Sequence, residues 1–232
     1  MFFDYYYILW VLPAVIFAIW ASARVSTTFQ KYSAQLSHLG LSGSQAARKV
    51  LEAAGVYQVK IEKTGGSLTD HYDPRTNIIR LSDSVCDRIS TAAIGVAAHE
   101  AGHAIQYAQG YLPIKIRNAI IPVTNIGSRL AIPLILIGLL FAGEGLGNLA
   151  YLGVLCFGLS TLFQLLTLPV EFDASRRALR ALESTHILTG EELYGARKVL
   201  TAAALTYVAA LAVSLTQLFR LLAIVNRRNG RK

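Results

Sequence analysis

The chain has 232 residues, of which 53% are hydrophobic, and its mean hydropathy is +0.44. That composition excludes an ordinary soluble domain and indicates a membrane protein. The net charge of +8 comes from 22 basic and 14 acidic residues. In a membrane protein such an excess is a topology signal, so we expect contact with a lipid bilayer and no nucleic-acid partner.

The first predicted element is an apolar run at 5–23, which is about long enough to span a bilayer. Aromatic residues at its start, Tyr5–Tyr7 and Trp10, are typical of a membrane interface. The tripeptide at 21–23, Ala-Ser-Ala, resembles a signal-peptidase site. Because Asp4 and no basic residue precedes the run, we expect an uncleaved anchor.

A polar region follows at 24–118 and contains several short elements. The pattern predicts a helix over 45–54 and strands at 57–62, 68–71 and 78–81. These strands would form a small sheet immediately before the next helix. Such a sheet could bind an extended substrate as one more strand, or it could only brace that helix.

The next helix carries the sequence His99-Glu100-Ala101-Gly102-His103, after a possible cap at Ser90. Residues four apart share a helix face, so the two imidazoles can bind one zinc ion. Glu100 is placed to accept a proton from a metal-activated water and to pass it to a leaving amine. The alternative is a pair of hydrogen-bonded histidines on a buried helix, with the acid as a surface charge.

Two further spans are predicted at 120–141 and 149–168, and together they form a helical hairpin. Pro169 can then start a new helix. Glu171 follows at the membrane boundary and is the candidate third metal ligand, and Asp173 is its competitor or a partner that orients a ligand imidazole. Alternatively, both acids only favour the helix N-terminus through its dipole.

Three segments together resemble the bacterial membrane zinc metallopeptidases of the YugP-like family, over nearly the whole chain. They read Tyr-Asp-Pro at 72–74, Ala-Ala-His-Glu-Ala-Gly-His-Ala-Ile-Gln at 97–106 and Pro-Val-Glu-Phe-Asp-Ala-Ser-Arg-Arg-Ala-Leu at 169–179. The third segment is more specific than the general zinc motif. The resemblance implies zinc-dependent peptidase activity and favours Glu171 over Asp173 as the third ligand.

The chain is more distantly similar to the HtpX-type heat-shock proteases and the CAAX prenyl proteases. Their third-ligand pattern, Glu-x-x-Ala-Asp, aligns with Glu171 and with Ala174. Ser175 stands where those proteins have aspartate, which puts their aspartate-dependent contact in doubt for this chain.

The end of the chain contains the polar region 169–198 and a fourth apolar run at 199–219. His186 is a weak candidate for polarising a substrate carbonyl or filling a metal position. The two polar regions, 24–118 and 169–198, hold 16 of the 22 basic residues. The positive-inside rule then predicts a plasma-membrane protein with its site facing the cytoplasm.

The basic tail, which includes Arg231 and Lys232, opposes this topology, because four spans would leave the tail outside. Alternatively, the last apolar segment packs on the hairpin without crossing. We prefer four spans.

The sequence therefore predicts a mainly α, helical integral membrane protein with about four transmembrane helices, a zinc helix and a small β-sheet. We expect one metallopeptidase domain over 1–232, with His99, His103 and Glu171 binding zinc and Glu100 acting as general base. Substrates would be peptides or membrane proteins, and the oligomeric state is not predicted. The rival interpretation is a membrane scaffold with a structural zinc site, which would need a fourth protein ligand and would have no use for an acid at position 100. A transporter is disfavoured because few ionisable residues lie within the spans.

Overall fold

The computed structural model describes residues 4–141, 143 and 145–229, so Arg231 and Lys232 of the basic tail lie outside the described residues. A short π-helical segment, Tyr7–Val11, leads into the first α-helix. The helices are α1 (Leu12–Ser33), α2 (Gly43–Ala53), α3 (Thr91–Ala108), α4 (Leu112–Leu140), α5 (Asn148–Ser184) and α6 (Gly190–Asn229). The strands are β1 (Lys60–Thr64), β2 (His71–Asp73) and β3 (Ile78–Ser82).

Four helices are long and apolar enough to cross a bilayer, which confirms the predicted class of multi-pass helical membrane protein. They cover Tyr7–Ser33, Leu112–Leu140, Asn148–Ser184 and Gly190–Arg228. Each extends beyond the apolar run that predicted it at one end or at both. The third and fourth helices continue into polar sequence that also belongs to the site region.

Contacts divide the chain into two compact units. The first unit contains the described residues of 1–20, 116–168 and 206–232. Within it, α4 and α5 approach at small residues: a Cβ on Gly138 would lie 2.2 Å from the backbone nitrogen of Ala150, and one on Gly153 would lie 2.6 Å from the carbonyl oxygen of Ala131. Small residues allow this close backbone contact between helices in lipid.

The second unit contains residues 21–115 and 169–205, and α3 is its central element. Helix α2 begins at a capping box in which Ser42 and Gln45 satisfy each other's backbone N–H groups. The sheet has the order β1–β3–β2, with β1 parallel and β2 antiparallel to β3. The buried faces of α2, the sheet and α3 share one apolar core, which fixes α3 as a rigid support.

The expectation that Pro169 starts a new helix is wrong, because α5 runs without a break from Asn148 to Ser184. A proline inside a helix removes one hydrogen bond and costs roughly 3 kcal/mol. The turn after it is fully buried at Val170 and Ala174. Burial of this turn offsets the cost, so packing maintains a helix that local propensity would end.

Candidate metal centre

Helix α3 presents the two histidines from a buried position in the second unit. Its start is capped by Ser90, whose hydroxyl oxygen accepts a hydrogen bond from the N–H of Ala93 at 3.3 Å. The rings of His99 and His103 are adjacent, with centroids 4.7 Å apart and planes at 83°. The spacing of four residues therefore places both imidazoles on one face of the helix, as the sequence predicts.

Glu171 on α5 meets both imidazoles with a single oxygen. Its Oε2 lies 3.3 Å from Nε2 of His99 and 3.4 Å from Nε2 of His103. Atoms bound at about 2.0–2.1 Å around one tetrahedral zinc ion lie roughly 3.3–3.4 Å apart. The donor set, two imidazole nitrogens and one carboxylate oxygen, is also one that zinc peptidases use. These three residues fit a zinc ion in both geometry and chemistry.

The far side of the His103 ring is held by Gln106, which is completely buried. The Gln106 Nε2 donates to the carbonyl oxygen of Val170 at 2.8 Å and to Oδ2 of Asp173 at 2.9 Å. Its Oε1 is therefore the atom that accepts from Nδ1 of His103, at 3.0 Å. With the proton on Nδ1, the Nε2 of neutral His103 keeps a lone pair directed toward Glu171.

His99 is held in the same manner by Ser175, whose Oγ lies 3.1 Å from Nδ1 of the ring. This is the position where the more distant protease families have aspartate. In this chain a neutral hydroxyl contacts the imidazole instead. The hydroxyl can fix the orientation of the ring without placing a negative charge next to the histidine.

The structure separates Asp173 and His186 from the cluster of potential ligands. Asp173 accepts hydrogen bonds from Gln106 and from Nε of Arg177, so its connection to the histidines is indirect. His186 is exposed in the turn between α5 and α6. Among the residues that the structure describes, the group that could hold a metal ion contains His99, His103 and Glu171.

Glu100 lies next to this group and is 8% exposed. Burial raises the pKa of its carboxyl group to about 7, and the carboxylates of Glu171 and Asp70 act in the same direction. The neighbouring His99 and the backbone N–H of Tyr72, which donates to this carboxylate, oppose the rise. A carboxyl group with a pKa near neutrality can both accept and release a proton at physiological pH.

Gly102 allows α3 and α5 to come close enough to share the site. A Cβ at this position would lie 2.5 Å from the carbonyl oxygen of Ala174. Such a contact is shorter than atoms tolerate, so any side chain would push the helices apart. Since Ala174 lies between Glu171 and Ser175 on α5, the absence of a side chain at 102 keeps both within reach of the histidines.

Gln106 is the site residue that pattern reasoning missed. It follows His103 by three residues and so lies on the same helix face. That spacing was an available signal, because a buried amide at this offset can contact the ring nitrogen that faces away from the metal.

Comparison with known proteins agrees with this site. The profile of the family described as "Putative neutral zinc metallopeptidase" matches residues 7–226. A relative from Bacillus subtilis (strain 168), named "Putative membrane protease YugP", is 43% identical over 225 residues, covering 97% of this chain and 98% of the relative. No solved structure matches the chain.

Proposed function

Because the chain belongs to the family described as "Putative neutral zinc metallopeptidase", we propose that it is a zinc-dependent membrane endopeptidase. The observation that carries this proposal is the convergence of two imidazole nitrogens, at 3.3 and 3.4 Å, on one oxygen of Glu171. His99, His103 and Glu171 would hold the metal. Glu100, adjacent in sequence and buried beside them, would be the general base.

In the proposed reaction, the metal and Glu100 have separate roles. A bound zinc ion would act as a Lewis acid, lowering the pKa of water and polarising the substrate carbonyl. Glu100 removes a proton from the attacking water and later delivers it to the amine of the departing peptide. Ser175 and Gln106 hold the two imidazoles in the orientation that leaves each Nε2 facing Glu171. Gln106 is in turn fixed by the carbonyl oxygen of Val170 and by Asp173.

The edge strand β2 supports a peptide as substrate. It is the outer strand of the order β1–β3–β2, and the N–H of Tyr72 is directed at Glu100. The outer edge of this strand therefore borders the proposed general base. An extended chain could add to that edge as a further strand, which would place its carbonyl groups along the site.

The charge distribution supports a site on the cytoplasmic face of the plasma membrane. The regions 24–118 and 169–198, which contain all the site residues, hold 16 of the 22 basic residues. Basic residues next to the ends of membrane spans, such as Arg24, Lys115 and Arg117, favour the cytoplasmic side. Because the metal-ligating group has three members among the described residues, it resembles an open catalytic site more than a closed structural one.

The test compares zinc content and peptidase activity in detergent-purified protein, with an unfolded protein mixture as substrate. Wild type should bind one zinc ion and cleave. Glu100→Gln should keep the zinc and lose cleavage by at least ~100-fold, since general-base catalysis contributes about 10²–10⁴-fold. Glu171→Ala should lose the zinc, whereas Glu183→Ala, an exposed position on the same helix, should behave as wild type.

Two results would count against the proposal. Full zinc occupancy in Glu171→Ala would remove this residue from the ligand set. A zinc-loaded wild type that cleaves no better than Glu100→Gln would favour the scaffold, in which the metal only joins α3 to α5.

A further inference from the structure

A cavity of about 440 Å³ opens beside the C-terminal half of α3. This volume is within the usual range for sites that bind small groups, roughly 300–1,000 Å³. Three tyrosines, Tyr57, Tyr72 and Tyr107, contribute to its walls, and Ala104 and Ala108 leave room at the helix surface. All residues that line it are uncharged and lie within the described part of the chain.

Three polar groups of the cavity wall, from Tyr72, Asn77 and Gln58, are bonded to one another. The Tyr72 hydroxyl donates to Oδ1 of Asn77 at 2.9 Å, and Nδ2 of Asn77 donates to the carbonyl oxygen of Gln58 at 3.3 Å. The rings of Tyr72 and Tyr107 meet edge to face, with centroids 6.2 Å apart. A wall of this kind favours an apolar or aromatic group, which can pack against the rings, and disfavours a charged one.

Two elements of the second unit, α3 and β2, connect the wall of the cavity to the proposed catalytic centre. On α3, Glu100, Ala104 and Ala108 follow one another at intervals of four residues and so form one stripe. On β2, Tyr72 donates its backbone N–H to Glu100, while its side chain lines the cavity. Four helical residues span about 6 Å, which is roughly the length of two residues of extended peptide.

We propose that this cavity is a specificity pocket, which binds a large uncharged side chain, aromatic or aliphatic, within about two residues of the cleaved bond. The inference rests on the proposed function, because it assumes that a peptide lies along β2 and past Glu100. It adds a substrate preference that the metal centre alone would not impose.

The test measures binding in the Glu100→Gln background, so that peptides are not consumed. Fluorescein-labelled Gly/Ser peptides carry one variable residue, which is Phe, Leu, Ala or Lys. The Phe and Leu peptides should bind at least ~10-fold more tightly than the Ala and Lys peptides, since pocket contacts of this size discriminate by about 10–200-fold. Equal binding of all four peptides would overturn the proposal.

Two variants test whether the preference for the Phe peptide depends on the cavity. Ala108→Trp places an indole in the cavity from the last residue of α3 and should remove at least ~10-fold of the Phe preference while leaving Ala-peptide binding unchanged. Ser184→Trp, at the exposed last residue of α5, is the matched control.

Tyr57→Ala removes one side chain of the cavity wall. Because Tyr57 is 70% exposed, folding should tolerate the change, and the Phe preference should fall. Its control is Tyr194→Ala, another exposed tyrosine. A Phe preference that survives both cavity variants would overturn the proposal.

Cleavage by wild-type protein separates this inference from the proposed function. If the Phe preference is present and depends on the cavity but zinc-loaded wild type does not cleave, the pocket stands and the peptidase assignment fails. If wild type cleaves without regard to side-chain size and the Phe preference is absent, the pocket fails and the peptidase assignment stands.

Discussion

Each imidazole of the proposed centre is fixed by a side chain that is not itself a potential ligand. Ser175 contacts Nδ1 of His99 at 3.1 Å, and Gln106 contacts Nδ1 of His103 at 3.0 Å. These contacts restrict ring rotation and determine which nitrogen faces Glu171. At the scale of single residues, the precision of the site therefore depends on one hydroxyl and one amide.

Replacing Ser175 by alanine should weaken zinc binding without removing a ligand. We expect a roughly 10-fold loss of affinity, at the lower end of the 10–100-fold effects known for partners of metal-binding histidines. Competition against a chelator of known affinity would measure it. Ser184→Ala provides the control on the same helix, because the Ser184 hydroxyl only donates to the carbonyl oxygen of Ala181. Equal affinities for the two variants would contradict the role given to Ser175.

Helices α3 and α5 pack closely at one point because Gly102 has no side chain. The neighbouring Ala174 backbone occupies the space that a Cβ would need, at 2.5 Å. Backbone atoms cannot rotate away as a flexible side chain can. The separation of these two helices, and hence the spacing of the potential ligands, is therefore fixed by packing.

Gly102→Ala should destabilise the protein by about 1–3 kcal/mol, the typical cost of overpacking. It should also lower zinc occupancy, because Glu171 moves with α5. Gly158→Ala is the matched control, since a Cβ there would meet only Leu218 at 3.9 Å. That control should be neutral or slightly stabilising, as alanine favours helix by about 1 kcal/mol over glycine. Denaturant unfolding in detergent would compare the two, and equal stabilities would refute the packing argument.

Local patterns located some elements closely. The predicted helix over 45–54 lies at Gly43–Ala53, and the predicted strand at 78–81 lies at Ile78–Ser82. Strand β1 lies at Lys60–Thr64 instead of 57–62, because its register is set by parallel pairing with β3. That pairing joins segments that are distant in sequence, and no local signal specifies it. The prediction that Pro169 starts a new helix is wrong for a similar reason, because burial against other segments maintains α5 through this residue.

For the site residues, too, local patterns predict some placements and long-range packing decides others. Helix periodicity sufficed to place His99 and His103 together. The approach of Glu171 depends on the hairpin and was supported by family resemblance, with Asp173 as an open alternative. The structure agrees with the choice of Glu171, because its Oε2 faces both imidazoles, whereas Asp173 is bonded to Gln106 and Arg177.

The segment before the first apolar helix contacts the last apolar helix within the first unit. The Arg220 guanidinium donates to Oδ2 of Asp4 at 2.9 Å and lies over the Tyr7 ring at 5.3 Å. Both charged side chains are largely shielded, with 11% and 25% of their surfaces exposed. A partly buried charge pair therefore connects the start of the first apolar helix to the last apolar helix.

Arg220→Gln should destabilise the protein by about 1–3 kcal/mol, because Asp4 loses a charge-assisted partner. Asp4→Asn in the same chain should recover part of that loss, since it removes the uncompensated charge. Unfolding in detergent of the two single variants and the double variant forms a cycle. Strictly additive losses would show that the pair contributes no coupling.

The whole-molecule charge bias predicts which segments are accessible from outside the cell. In a chain with Cys86 and Cys156 replaced, Gly65→Cys should react with an impermeant maleimide only after permeabilisation, whereas Gly143→Cys should react in intact cells. The two positions are matched, because a Cβ at either glycine meets nothing within 4 Å. The reverse labelling pattern would place the site region outside.

The unbroken path of α5 through Pro169 has a consequence for synthesis. On the proposed ligand set, both histidines leave the ribosome early, while Glu171 follows only after α4 and the apolar half of α5 have been made. A nascent chain that still lacks Glu171 has only two of the three proposed ligands and cannot complete the metal site. Activity would therefore begin only after the hairpin has been synthesised, so an incomplete protease would not act on the machinery that inserts it.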